Sequence, residues 1–82
     1  MDKLRALQYF IAAAEDRSLS GAARRLDVSV PAVSKLITSL EQTLGATLFD
    51  RTVQGLTLTS NGEIYSKHAN RFSISLPPLT RP

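Results

Sequence analysis

Apolar residues recur at three- and four-residue steps from the start of the chain. Leu4, Leu7, Phe10, Ile11 and Ala14 form one stripe, and Lys3, Arg5, Gln8 and Glu15 are left for solvent. That spacing predicts an amphipathic helix over residues 4–15, with Asp2 placed to cap its start. Asp16-Arg17-Ser18 is a polar break short enough to keep the next helix a close neighbour. Ser18-Leu19-Ser20-Gly21 is a helix-start signal in which Ser20 is the preferred cap. Ala22, Ala23 and Leu26 then make a short apolar face, and two adjacent alanines let a crossing helix come close.

Asp27-Val28-Ser29 is a turn, and Ser29 caps a third helix with Pro31 in its first turn, where a missing N–H costs nothing. Val33, Leu36, Ile37, Leu40 and Leu44 carry the helical period to Gly45, a left-handed stop. A short Ala-rich helix, a tight turn and a second helix with its own cap are the sequence signature of a helix-turn-helix. A plain helical hairpin would have a longer first helix and polar residues scattered over the second.

Beyond Gly45 the period changes. Thr47-Leu48-Phe49 and Leu56-Thr57-Leu58 are short β-prone runs separated by a polar stretch that contains Gln54-Gly55. Two such strands after a helix-turn-helix make the small hairpin called a wing. Thr59 or Ser60 caps a fourth helix with Tyr65, Ala69, Phe72 and Leu76 on one stripe, and Pro77-Pro78 ends it. The predicted fold is mainly α with a small β-hairpin: three helices, a two-stranded wing and a shortened fourth helix. Residues 1–59 are the expected globular unit, 60–76 the fourth helix and 77–82 a frayed tail.

Composition narrows the function. Eighty-two residues make one small domain. Ten Lys/Arg against seven Asp/Glu give a net charge of +3, and the pI near 9.8 points to a nucleic-acid partner. With zero cysteines the chain has no disulfide scaffold or thiolate metal site, which fits a cytoplasmic location. Its longest apolar run, Phe10 to Ala14, is far too short to span a bilayer.

Residues 1 to about 72 resemble the N-terminal domain of LysR-type transcriptional regulators. The resembling pieces are Leu7-x-Tyr9-Phe10, Ser18-Leu19-Ser20-x-Ala22-Ala23-x-x-Leu26, and Val28-Ser29-x-Pro31-Ala32-Val33-Ser34-Lys35. Leu40-Glu41, Leu44-Gly45, Leu48-Phe49-Asp50-Arg51 and Leu58-Thr59-x-x-Gly62 complete them. The resemblance implies sequence-specific binding of double-stranded DNA, with the third helix (about 30–44) in the major groove and the wing near the backbone or minor groove. It also implies that the fourth helix is a linker that pairs with a second subunit. The expected partners are duplex DNA and, through that helix, a second copy or a full-length relative.

Individual residues carry the DNA reading unequally. Lys35 projects outward from the first two turns of the third helix, where a cation reaches a phosphate or guanine acceptors; the bland reading is a solvated lysine. Ser34 offers close approach and a hydroxyl, and Thr38 reaches a thymine methyl or a phosphate. Val30 and Pro31 make only apolar base contacts. Ser20 and Ser29 act first as caps, and the helix N-termini they open also offer N–H groups to phosphates. Arg51 matches the family's phosphate-contacting arginine, and Gln54 lies in the wing loop.

Arg24 and Arg25 read as a solvated face of the second helix. His68 has no partner ligands and is not expected to hold a metal, and no cofactor is implied. Tyr9 and Phe10 read as core rather than as stacking platforms.

Several positions depart from the family pattern. Val30 stands where a glutamine often reads a base edge, and Leu36, Thr38 and Ser39 replace residues that are frequently Gln or Arg. The wing loop Thr52-Val53-Gln54-Gly55 has no Lys or Arg. These differences predict weaker phosphate anchoring and a shallower salt dependence. The resemblance fades after Phe72, where family members continue into a longer linker helix and a two-lobed ligand-binding domain. The chain therefore reads as a natural fragment, a frameshifted product or an excised piece, with no effector pocket of its own.

Catalysis needs a nucleophile, base and orienting group, or a metal, and one histidine with carboxylates on predicted solvent faces assembles neither. The stronger rival is a protein-interaction module that heterodimerises with a full-length relative through the fourth helix. Ser34, Lys35 and Thr38 favour DNA, because a protein groove selects large apolar groups on that face.

Overall fold

The computed structural model describes residues 3–70 of the chain. Its order is α1 (Lys3–Asp16), α2 (Leu19–Leu26), α3 (Val30–Leu44), β1 (Phe49–Thr52), β2 (Gly55–Leu58) and α4 (Ser60–Asn70). The expected Asp2 cap, the Phe72 and Leu76 positions of the fourth helix, its Pro77-Pro78 stop and the tail lie outside the described residues.

Short polar signals set the helix ends. Ser29 caps α3 by accepting the Ala32 N–H at 3.2 Å, a contact worth about 1 kcal/mol. Pro31 falls in the first turn, and Gly45 ends the helix at φ 69° with its N–H on the Gln42 carbonyl. At the start of α2 the structure corrects the sequence reading. Ser18, not Ser20, is the cap: its backbone is extended and its Oγ accepts the Gly21 N–H at 3.0 Å. Ser20 lies inside the first turn. The turn into α3 is made by Asp27 at φ 58°, a left-handed conformation that aspartate tolerates better than most residues.

The core gathers around Phe10, which is fully buried on α1. Its ring meets Phe49 at 5.3 Å and stands edge-on to Tyr65 at 5.0 Å, so one side chain ties the first helix to β1 and α4. Ala12, Ala13, Ala22 and Ala23 are buried; small side chains allow α1 and α2 to pack closely. Val33, Ile37 and Leu40 form the inner face of α3. Leu4 and Leu44 match the helical period yet remain 55% and 44% exposed, because each sits near the outer end of its helix.

The strands pair antiparallel in the register Phe49↔Leu58, Asp50↔Thr57, Arg51↔Leu56 and Thr52↔Gly55. This shifts the first strand from the predicted 47–49 run. Thr47 and Leu48 have other partners: the Leu48 carbonyl accepts the Thr59 N–H at 3.0 Å, and the Thr47 carbonyl accepts the Thr59 hydroxyl. Only Val53-Gln54 remain for the turn, so the polar residues Asp50, Arg51 and Thr52 enter the ladder.

Of the two cap candidates, Thr59 rather than Ser60 caps α4, accepting the Gly62 N–H at 3.0 Å. Gly62 passes so close to the Leu48 carbonyl that a Cβ there would overlap it. No described helix is long and apolar enough to cross a membrane.

Candidate nucleic-acid interface

α3 is buried on the Val33–Ile37–Leu40 side and open on the other. Its exposed side presents Ser29, Val30, Pro31, Lys35 and Thr38, with Ser34 half-buried. The wing stands beside that face. Arg51, on β1, extends to α3, where its Nη2 donates to the Ser34 Oγ at 3.4 Å. Leu19, Ser34, Ile37, Thr38, Glu41, Phe49, Arg51 and Leu56 line a narrow cleft of about 50 Å³. The start of α2, the outer face of α3 and the wing thus meet on one side of the molecule.

Of the residues expected to touch DNA, Ser34, Thr38 and Arg51 are brought together in this cleft. Ser29, Val30, Pro31 and Lys35 flank it along the first two turns of α3. Gln54 is exposed in the hairpin turn, where its N–H donates to the Thr52 hydroxyl at 3.2 Å. Ser20 is exposed on α2; with Ser18 holding the cap, its hydroxyl is not committed to the helix start.

The wing is fixed in place by a residue the sequence reading passed over. The Glu41 carboxylate on α3 accepts the backbone N–H of Leu48 at 2.7 Å and that of Phe49 at 3.4 Å. The chain leaves α3 at Gly45, turns back, and is caught by the helix it has just left. On the other edge of the hairpin, the Leu56 N–H donates to the Arg17 carbonyl at 3.1 Å. A wing held from both sides keeps Arg51 at a set distance from α3, and pre-positioned groups lose less freedom on binding.

The charges sort themselves the same way. Arg25, expected from sequence on a solvated face, instead has its side chain buried. Its side chain is 8% exposed and pairs with Glu15 at 2.9 Å and Asp16 at 3.2 Å. Asp16 is likewise buried against it rather than on a solvent face. Arg24 is exposed, as expected. Lys35 and Arg51 take part in no ion pair among the described residues, so both cations are available to an external anion. No group of His, Cys, Asp and Glu among the described residues is placed to hold a metal ion.

A tri-helical body, a helix-turn-helix with an open second helix and a two-stranded hairpin beside it define a winged helix-turn-helix. Residues 4–63 match the pattern of the bacterial regulatory helix-turn-helix proteins of the lysR family, and the chain belongs to that family.

It is 45% identical over 69 residues to the transcriptional regulator ClcR of Pseudomonas putida, a match spanning 84% of this chain and 24% of that protein. To AlsR of Bacillus subtilis it is 47% identical over 66 residues, 80% of this chain and 22% of the relative. The chain thus spans roughly a quarter of the length of these regulators. Among solved structures, the CbnR DBD in complex with DNA superposes with a TM-score of 0.82 at 38% identity, over 87% of this chain and 82% of that one. The BenM DBD in complex with catB site 1 DNA gives 0.83 at 32% identity, over 87% and 80%.

Proposed function

We propose that this chain is the DNA-reading part of a bacterial transcriptional regulator that binds double-stranded DNA sequence-specifically in the cytoplasm. Residues 1–59 are the reading unit and α4 begins the linker through which two copies pair. α3 enters the major groove, with Ser34, Lys35 and Thr38 toward base edges and phosphates and Val30 and Pro31 in apolar contact with bases. Arg51 neutralises a phosphate beside the groove, and Gln54 approaches the backbone or minor groove from the wing turn. Ser29 and Ser20 approach phosphates at the helix starts.

One observation carries this reading: Arg51 reaches from the wing to Ser34 on the open face of α3, so a free cation and small polar groups share one surface. A groove built for protein would line that surface with large apolar side chains. The likeness to two solved domains in complex with DNA supports the DNA-binding reading.

Selection of bound duplexes from a random pool tests the sequence-specific part. Enrichment of a common half-site supports it; recovery of the pool unchanged, from a chain that binds DNA, limits the function to non-specific contact.

A further inference from the structure

The wing turn of this chain, Thr52-Val53-Gln54-Gly55, carries no cation, but the backbone of an arginine packs against its flank. Arg17, between α1 and α2, adopts φ 52°. Its carbonyl accepts the Leu56 N–H at 3.1 Å. Leu56 is the cross-strand partner of Arg51. Arg17, Leu56 and Arg51 therefore form one row across three neighbouring segments, with an arginine on either side of a buried leucine. Contact is close: a Cβ on Gly55 would stand 2.6 Å from the Arg17 oxygen.

The Arg17 side chain is exposed and takes part in no ion pair among the described residues. The two carboxylates that precede it, Glu15 and Asp16, are both committed to Arg25. Arg17 is thus an exposed arginine outside any ion pair among the described residues, two positions before Leu19, which lines the α3–wing cleft.

We propose that Arg17 is a phosphate-contacting residue that supplies the wing-side cation absent from the wing turn itself. The proposal rests on the DNA-binding reading above and extends it to a residue outside both the recognition helix and the hairpin. A phosphate contact positions the protein without reading bases, so its loss weakens binding to all sequences alike.

The test is fluorescence-anisotropy titration of wild type, Arg17→Gln and Arg17→Lys with a labelled random-sequence duplex at several salt concentrations. One lost phosphate contact lowers the slope of log affinity against log salt by about 0.9. Arg17→Gln is expected to show that drop, and Arg17→Lys, which keeps the charge, is expected to restore the wild-type slope. A wild-type slope in Arg17→Gln overturns the proposal while leaving the DNA reading intact. So does an affinity loss without a slope change, or one that lysine does not rescue, since both mark a role through wing packing. Absence of binding by wild type overturns the DNA reading and this proposal with it.

Discussion

The Arg51 guanidinium of β1 meets the Ser34 hydroxyl of α3 at 3.4 Å, seventeen residues away along the chain. The contact is long for a hydrogen bond and exposed, so it adds little to stability. Its meaning is geometric: it joins the wing cation to the open face of the third helix. Ser34→Ala is expected to change unfolding free energy by less than about 0.5 kcal/mol in urea titration. Arg51→Ala is expected to do the same while lowering the salt slope of DNA binding by about 0.9.

Glu41 holds the wing more firmly. Its carboxylate accepts the Leu48 and Phe49 N–H groups, and Glu41→Ala leaves both partly buried donors without that partner. A loss of about 1–3 kcal/mol in urea unfolding is expected. Glu41→Gln keeps the shape and a carbonyl acceptor and should lose less; equal losses would assign the effect to the carboxylate charge rather than to packing.

Arg25 clamps α1 to α2. With Arg25→Met, Asp16 keeps a side chain only 9% exposed and no cation beside it. Removing one member of a fully buried pair costs roughly 3–5 kcal/mol, and a half-exposed Glu15 that rehydrates lowers this to about 2–4. Thermal melting of Arg25→Met and of Arg25→Met/Asp16→Asn checks the account: the double variant should recover part of the loss.

Gly62 admits no side chain. A Cβ would overlap the Leu48 carbonyl and stand 3.0 Å from Leu58 Cδ2, so Gly62→Ala must push α4 off the base of the wing. Destabilisation of about 1–3 kcal/mol is expected in urea unfolding; a neutral result would contradict the packing of α4 described above.

Burial pushes the Tyr65 phenol above its usual value of 10.0. The folded chain therefore holds the proton more tightly than the unfolded one. The resulting stability is full below pH 10.0 and is lost as pH rises from there through the folded value. Unfolding free energy measured against pH should fall in that alkaline range, and the fall should be smaller in Tyr65→Phe.

Local signals were legible in the sequence. Ser29, Pro31 and Gly45 set α3 within the chain's own chemistry, and the core period of α1 located Phe10. Ser18 and Ser20 are both good caps, and only the extended backbone at Ser18 decides between them. β1 moved because Thr47 and Leu48 bond to Thr59 and Glu41, partners that no strand propensity records. Arg25 looked solvated because its acids lie on the preceding helix, nine and ten residues back. Glu41 and Arg17 act only once the chain has folded back on itself. The open face of α3 was readable; the supports that fix the wing beside it were not.

The most direct test of the account is an anisotropy titration with a random-sequence duplex at low and moderate salt, comparing wild type with Lys35→Ala/Arg51→Ala. Salt-sensitive binding by wild type is expected and, in the double variant, a slope lower by about 1.8, the sum of two phosphate contacts. A folded wild-type chain that fails to bind at low salt, or a double variant that binds as wild type does, would contradict it.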